Sequence, residues 1–122
     1  MVLCDTNILI HAFNGNQGTI DMLENIGFSE IAISAITVME LYQGMGNKTE
    51  LAQMKKKIRY YDVVEIDIPT SKLAAELMEK FKLSHNLQIP DAIIGATAIT
   101  YQLKLYTYNT KDFSFLPHIK LI

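Results

Sequence analysis

The sequence predicts an α/β domain, a three-layer sandwich with a central parallel sheet flanked by helices. Three observations carry that prediction. Short apolar runs (MVLC, EIAIS, VVEIDI, KLYTY, IKLI) recur along the chain. Between most of them lie longer stretches with helical spacing rather than two-residue turns, and strands separated by helices pair in parallel with both faces covered. The 122 residues, 49% of them hydrophobic, suffice for one sizeable core and not for two.

Taken in order, MVLC is the first strand, and a helix from about Asn7 to Phe13 follows it and closes at Asn14-Gly15. Either Asp5 or Thr6 can cap that helix, since both side chains accept from amides that the first turn leaves unpaired. A second helix, from about Gly18 to Ile26, carries Ile20, Leu23 and Ile26 on one face and stops at Gly27. After the strand EIAIS, Ser34 can cap a helix through AITVMELYQ, which Gly44 and Gly46 end. ELAQMKKKIRYY is helical in spacing, and VVEIDI is a strand before Pro69. SKLAAELMEKFKLSH is an amphipathic helix with Leu73, Leu77, Met78 and Phe81 as its apolar stripe. Pro90 opens the helix DAIIGATAITYQL, because proline suits the first helical position. KLYTY and IKLI close the pattern as strands.

Composition excludes several function classes. Charged residues make up 20% of the chain, no run reaches the roughly 18 apolar residues of a membrane span, and the start lacks the features of a signal peptide, so a cytoplasmic protein is expected. The lone cysteine, Cys4, cannot form an internal disulfide and reads as a buried, inert thiol. A net charge of −2 argues against nucleic-acid binding through bulk charge, so any basic contact must be local.

Four acids stand out. Asp5 ends the first strand; Glu40 interrupts AITVMELY, apolar apart from one threonine; Asp91 lies in the first turn of a helix whose Ala92, Gly95, Ala96 and Ile99 share a face; Asp112 follows KLYTY in NTKDF. Each has a plain structural role open to it, as a cap, a helix-dipole partner or a turn residue. Their joint placement at strand ends and first turns along one sheet edge favours a constellation, because ligands of α/β sheets bind outside the carboxyl ends of the strands. Clustered carboxylates repel unless a cation neutralises them, and hard oxygen donors select Mg²⁺ or Mn²⁺. The cation reverses the sign of the pocket, so that it binds phosphate and supports phosphodiester hydrolysis.

The segments LCDTNILI, SAITVMELYQG, IPDAIIGATA and LYTYNTKDFSFLPHIKL, in this order and covering nearly the whole chain, resemble the PIN-domain ribonucleases and, within them, the VapC-type toxins of toxin–antitoxin pairs. The resemblance implies a single PIN-like nuclease domain over residues 1–122, metal-dependent endoribonuclease activity, an RNA substrate (tRNA or another structured RNA included), a homodimer and a small cognate antitoxin. It places Asp5, Glu40 and Asp91 on the family's acidic positions, with Thr6 and Asn7 beside the first. Where many relatives carry a fourth aspartate this sequence has Asn109; charge assigns the role to Asp112, with Asn109 as a neutral neighbour.

Weaker candidates remain. The basic cluster KKKIR, Lys55 to Arg59, is either a solvated helix face or a phosphate contact. Tyr42, Tyr60 and Tyr61 can stack on bases or pack in the core. Met22, Met39, Leu41, Met45 and Met54 form a surplus of large apolar residues that suits a dimer or antitoxin surface, or else the core. His11, His85 and His118 have no zinc spacing. CDTN is also similar to the first motif of haloacid-dehalogenase-type phosphatases, but Asn7 stands where a second aspartate is needed. The other alternative is a PIN-like module that binds RNA or protein without cleaving.

Overall fold

The computed structural model describes all 122 residues. Four strands, β1 (Val2–Cys4), β2 (Ile31–Ser34), β3 (Asp62–Val64) and β4 (Lys104–Tyr106), form a wholly parallel sheet in the order β3-β2-β1-β4. Six helices connect and cover them: α1 (Thr6–Phe13), α2 (Gln17–Ile26), α3 (Ala35–Gln43), α4 (Lys48–Ile58), α5 (Ile68–His85) and α6 (Ile89–Thr100). No helix is long and apolar enough to cross a membrane.

The strands alternate sides with a period of two, and this alternation makes two cores from one sheet. Leu3, Ala32 and Leu105 point to one face, where they pack with Ala74 and Leu77 of α5, Ala92, Ile94, Ala96 and Ala98 of α6, and Phe113 and Leu116. Cys4, Ile31, Ile33 and Tyr106 point to the other, against Ile8 and Leu9 of α1, Leu23 of α2, Leu41 of α3 and Met54 and Ile58 of α4. The three-layer α/β sandwich expected from the sequence follows directly. The apolar stripe expected on α5 also packs here, with Leu73, Met78 and Phe81 lying against the first core beside Leu77.

Helix boundaries follow their caps. Asn16, Asn47 and Asp67 accept amide bonds from Thr19, Glu50 and Thr70, so α2, α4 and α5 each start earlier than their apolar spacing suggests. Gly27, at φ 92°, and Asn86, at φ 53°, adopt conformations that stop α2 and α5. Two expected strands shrink. VVEIDI pairs only as far as Val64, which is level with Ser34, the last residue of its partner strand, and Asp67 then caps α5 with Pro69 in its first turn. IKLI contributes a single bridge, Leu121 to Leu105, rather than a strand. Of the large apolar residues between 16 and 60, Leu41 and Met54 are core residues, whereas Met39 is 55% exposed.

α6 is held close by its small residues. A Cβ built on Gly95 lies 2.5 Å from Cδ1 of the buried Leu116, so the loop after β4 seats against a helix face that tolerates no methyl group. Gly95→Ala gains about 1 kcal/mol of helix propensity but overpacks the core by about 1–3 kcal/mol. A net loss of stability is expected in urea unfolding, and it should shrink when Leu116→Val makes room.

Candidate metal centre

The parallel sheet brings the ends of β1, β2 and β4 to one edge, and the predicted acids gather there. Asp5 directly follows β1 and its amide extends the β4 pairing by donating to Tyr106 O at 2.9 Å. Its side chain caps α1: Oδ1 accepts from the Thr6 amide at 2.7 Å, and Oδ2 accepts from the Thr107 hydroxyl at 2.8 Å. The cap is therefore Asp5 and not Thr6, and Asp5 is 5% exposed. Thr6 is turned to another task, since its hydroxyl lies 2.7 Å from Glu40 Oε1 and 3.0 Å from the Thr37 hydroxyl. Its one proton faces two acceptors, and the Glu40 carboxylate is the nearer and the charged one.

Ser34 caps α3 by accepting from the Ile36 amide, and this fixes the phase of the helix that carries Thr37 and Glu40 one turn apart. Asp91, half-buried, sits in the first turn of α6 as expected. The segment after β4 brings the rest. Thr107 Oγ1 accepts from the Asn109 amide at 3.0 Å, Asn7 Oδ1 accepts from the Tyr108 amide at 3.5 Å, and Asp112 ends the short turn Thr110–Asp112 with its amide on Asn109 O. Tyr108 pins this segment, its hydroxyl lying 2.5 Å from that of the buried Thr19 and 3.2 Å from that of Tyr106, and its ring edge-on to His11. Phe113 anchors the far end in the core, fully buried.

Electrostatics show that the four acids share one field. Burial first, and then the charges of Asp5, Asp112 and Glu40, push the Asp91 carboxyl up to about 7. Burial also raises the Asp5 carboxyl; the bonds from Thr107 and Thr6 pull it back, and Asp112 pushes it up again. No lysine or arginine answers these charges, because the one ion pair joins the terminal amine to Glu30 at the opposite edge of the sheet. Cys4 is not a participant. Burial and the neighbouring Asp5 push its thiol up to about 12, as an inert buried sulfur requires.

The carboxylates stand apart as mutually repelling anions do: no three His, Cys, Asp or Glu side chains close to the spacing of a shared cation. Their chemistry nevertheless fits one, since the donors are all oxygen and Asp91 is held up by burial and three like charges with nothing to lower it. Asp112 and Asn109 are both exposed, but only Asp112 contributes charge to the field around Asp5 and Asp91. Thr107 bonds Asp5 and Thr37 bonds Thr6, and sequence pattern alone singles out neither. The available signal for Thr37 is its place three residues before Glu40 on one helix face; Thr107, a good strand former at a strand end, gives none.

Comparison with known proteins places this architecture. A family model for the PIN domain matches residues 2–117. A curated protein from Rickettsia bellii (strain RML369-C), named ribonuclease VapC, is 25% identical over 129 residues, covering 99% of this chain and 94% of that protein. Among solved structures, a toxin–antitoxin complex from Klebsiella pneumoniae contains a chain 32% identical, with a TM-score of 0.82 and coverage of 100% of this chain and 96% of that one. VapBC2 from Rickettsia felis, bound to a DNA fragment from its promoter, contains a chain 25% identical, with a TM-score of 0.81 and coverage of 100% and 98%.

The raised Asp91 carboxyl gives a pH test. Its value in the fold, about 7, exceeds the 3.8 of an unperturbed aspartate, so the folded state binds this proton more tightly than the unfolded chain does. The associated stability is present in full below about pH 4 and is lost as pH rises through about 7. Melting temperatures measured in EDTA should fall over that window, and Asp91→Asn should flatten the fall.

Proposed function

The chain belongs to the PIN-domain family, and from that premise we propose that it is a metal-dependent endoribonuclease, the toxin of a toxin–antitoxin pair. One observation carries the proposal: four carboxylates share a single field at the carboxyl edge of the sheet, with no protein cation to offset them. Family membership favours this over the phosphatase reading. The retained acids oppose a pure binding role, because a surface that only held RNA would gain by shedding negative charge where phosphate docks. The names of the relatives from Rickettsia bellii and Klebsiella pneumoniae support RNA as substrate and a cognate antitoxin as partner.

In this reading Asp5, Glu40, Asp91 and Asp112 hold Mg²⁺ or Mn²⁺. When bound, such an ion neutralises the acids, draws the substrate phosphate to them and polarises it as a Lewis acid. The chain's own residues do the rest. Asp5 is fixed by the Thr6 amide and the Thr107 hydroxyl, so its carboxylate cannot swing away from the edge. Thr6 holds Glu40 by one hydroxyl bond, with Thr37 Oγ1 as a second, longer acceptor of the same hydroxyl. Neutral donors orient both carboxylates without cancelling their charge, which leaves it for a cation. Asn7 holds the Tyr108 amide, and Asn109 closes onto Thr107, so both support the loop that presents Asp112.

Asp5→Asn, Glu40→Gln and Asp91→Asn should each cut RNA cleavage about 100-fold or more while leaving the circular dichroism spectrum unchanged, since each deletes charge and little volume. Cleavage by the wild-type chain should stop with EDTA and return with Mn²⁺. A near-normal rate in any of the three removes that residue from the site. Asp112→Asn should weaken the Mn²⁺ dependence more than Asn109→Ala, and the reverse order assigns the fourth role to Asn109.

We also propose a homodimer, supported by the exposed Met39, Ile68 and Ile89, at 55%, 72% and 62% exposure. Sedimentation at micromolar concentration should show a dimer; a monomer alone counts against it.

A further inference from the structure

The largest hollow in the molecule is not at the acids. It measures about 460 Å³ and is lined by Phe13, Phe28, Lys57, Tyr60 and Tyr61, where the ends of α1 and α4 meet the short turn Phe28–Glu30 that precedes β2. Its walls are ring surfaces. Tyr61, buried, lies edge-on to Phe13 at 6.3 Å and to Phe28 at 6.0 Å between centroids. Phe28 is 48% exposed and Tyr60 78% exposed, the latter a large ring held in water with no partner in the fold. A folded domain keeps such a ring in solvent at a cost.

Charge at the rim points to the occupant. Lys55, Lys56, Lys57 and Arg59 are all exposed, in the last turn of α4 and just beyond it, and none is in an ion pair. Lys57 Nζ lies 5.2 Å from the centre of the Phe13 ring. Cations at a helix C-terminus complement its dipole, which explains their presence on α4 but not the exposed ring beside them. Aromatic faces next to unpaired cations are how single-stranded nucleic acid is held, with bases stacked on the rings and phosphates on the lysines.

The hollow opens at the edge where β2 and β3 begin, opposite the acids, and α1 spans the distance between them. Phe13 is shared with a second hollow of about 260 Å³ whose lining includes Asn14, Met45 and Glu40. The two hollows thus meet at Phe13, and the second continues from the basic aromatic pocket along α1 to Glu40. We infer that the Phe13–Phe28–Tyr60–Tyr61 hollow seats an unpaired base of the RNA, with its phosphate on the Lys55–Arg59 cluster, while the chain passes over Phe13 toward the carboxylates. This rests on the ribonuclease reading and adds to it where the strand runs. The lining is nearly all apolar, so the base is held by stacking, and the hollow discriminates weakly among bases.

The test uses the full chain and a single-stranded RNA hexamer with one 2-aminopurine, whose fluorescence falls on stacking. Binding is measured in EDTA so that cleavage does not intervene, and cleavage of the unlabelled hexamer is followed separately with Mn²⁺. Tyr60→Ala and Phe28→Ala should each weaken binding five-fold or more and lessen the quenching, whereas Tyr60→Phe should bind as wild type does. Both positions are exposed, and unchanged melting temperatures will show that the fold is kept. Lys56→Gln with Lys57→Gln should lower the slope of log affinity against log salt by about 0.7 for each phosphate that the two lysines neutralise. If the wild-type chain cleaves but both alanine variants bind and quench like it, the hollow is not a base site and the nuclease reading stands. If the alanine variants leave RNA binding intact but release a bound protein partner, the occupant is a protein and the inference is wrong. If the wild-type chain neither cleaves nor binds, both readings fail.

Discussion

A carboxylate buried at the end of a central strand must be answered by donors, and this fold is arranged around the answer to Asp5. One oxygen takes the first amide of α1 and so fixes where that helix begins; the other takes the hydroxyl of Thr107, 102 residues away, and so fixes how β4 ends. Without those two bonds the burial of this charge would cost several kcal/mol. With them, β1, α1 and β4 are locked in register at one point. The same locking gives the molecule its polarity, because the bonds can form only on the edge toward which all four strands run.

The donors at that edge are hydroxyls and amides. Ammonium or guanidinium groups would have stabilised Asp5 and Glu40 more strongly, at the cost of neutralising them. Threonine donors hold direction and leave charge, and the cost appears in Asp91, whose carboxyl is raised first by burial and then by the repulsion of the other three. Part of the electrostatic free energy of folding is thereby withheld, and under the proposed function a bound cation would recover it.

Much of this is legible in the sequence, and what is not has identifiable physical causes. Asp5, Glu40 and Asp91 declare themselves by standing in apolar surroundings where an acid is costly. Ser34 and Gly27 mark helix ends correctly because capping is local chemistry. VVEIDI misleads because alternation sets the preference for a strand, whereas its length is set by the partner; β2 ends at Ser34, and nothing in VVEIDI encodes that. Leu41 and Met54 cannot be told from surface residues by type, since which side of α3 and α4 faces inward depends on the sheet. Thr107 is hidden because its partner lies at the other end of the chain.

That separation has a kinetic consequence. α5 and α6 form a hairpin joined by the three residues Asn86, Leu87 and Gln88, a local contact that needs little loop closure to form. The β1–β4 pairing joins positions about as distant as the chain permits and is the slow contact of the fold. Asp5 is therefore made 102 residues before the Thr107 hydroxyl that answers its carboxylate. The burial of Asp5 is thus among the last events of folding, waiting on a strand and a hydroxyl that the chain supplies only near its end.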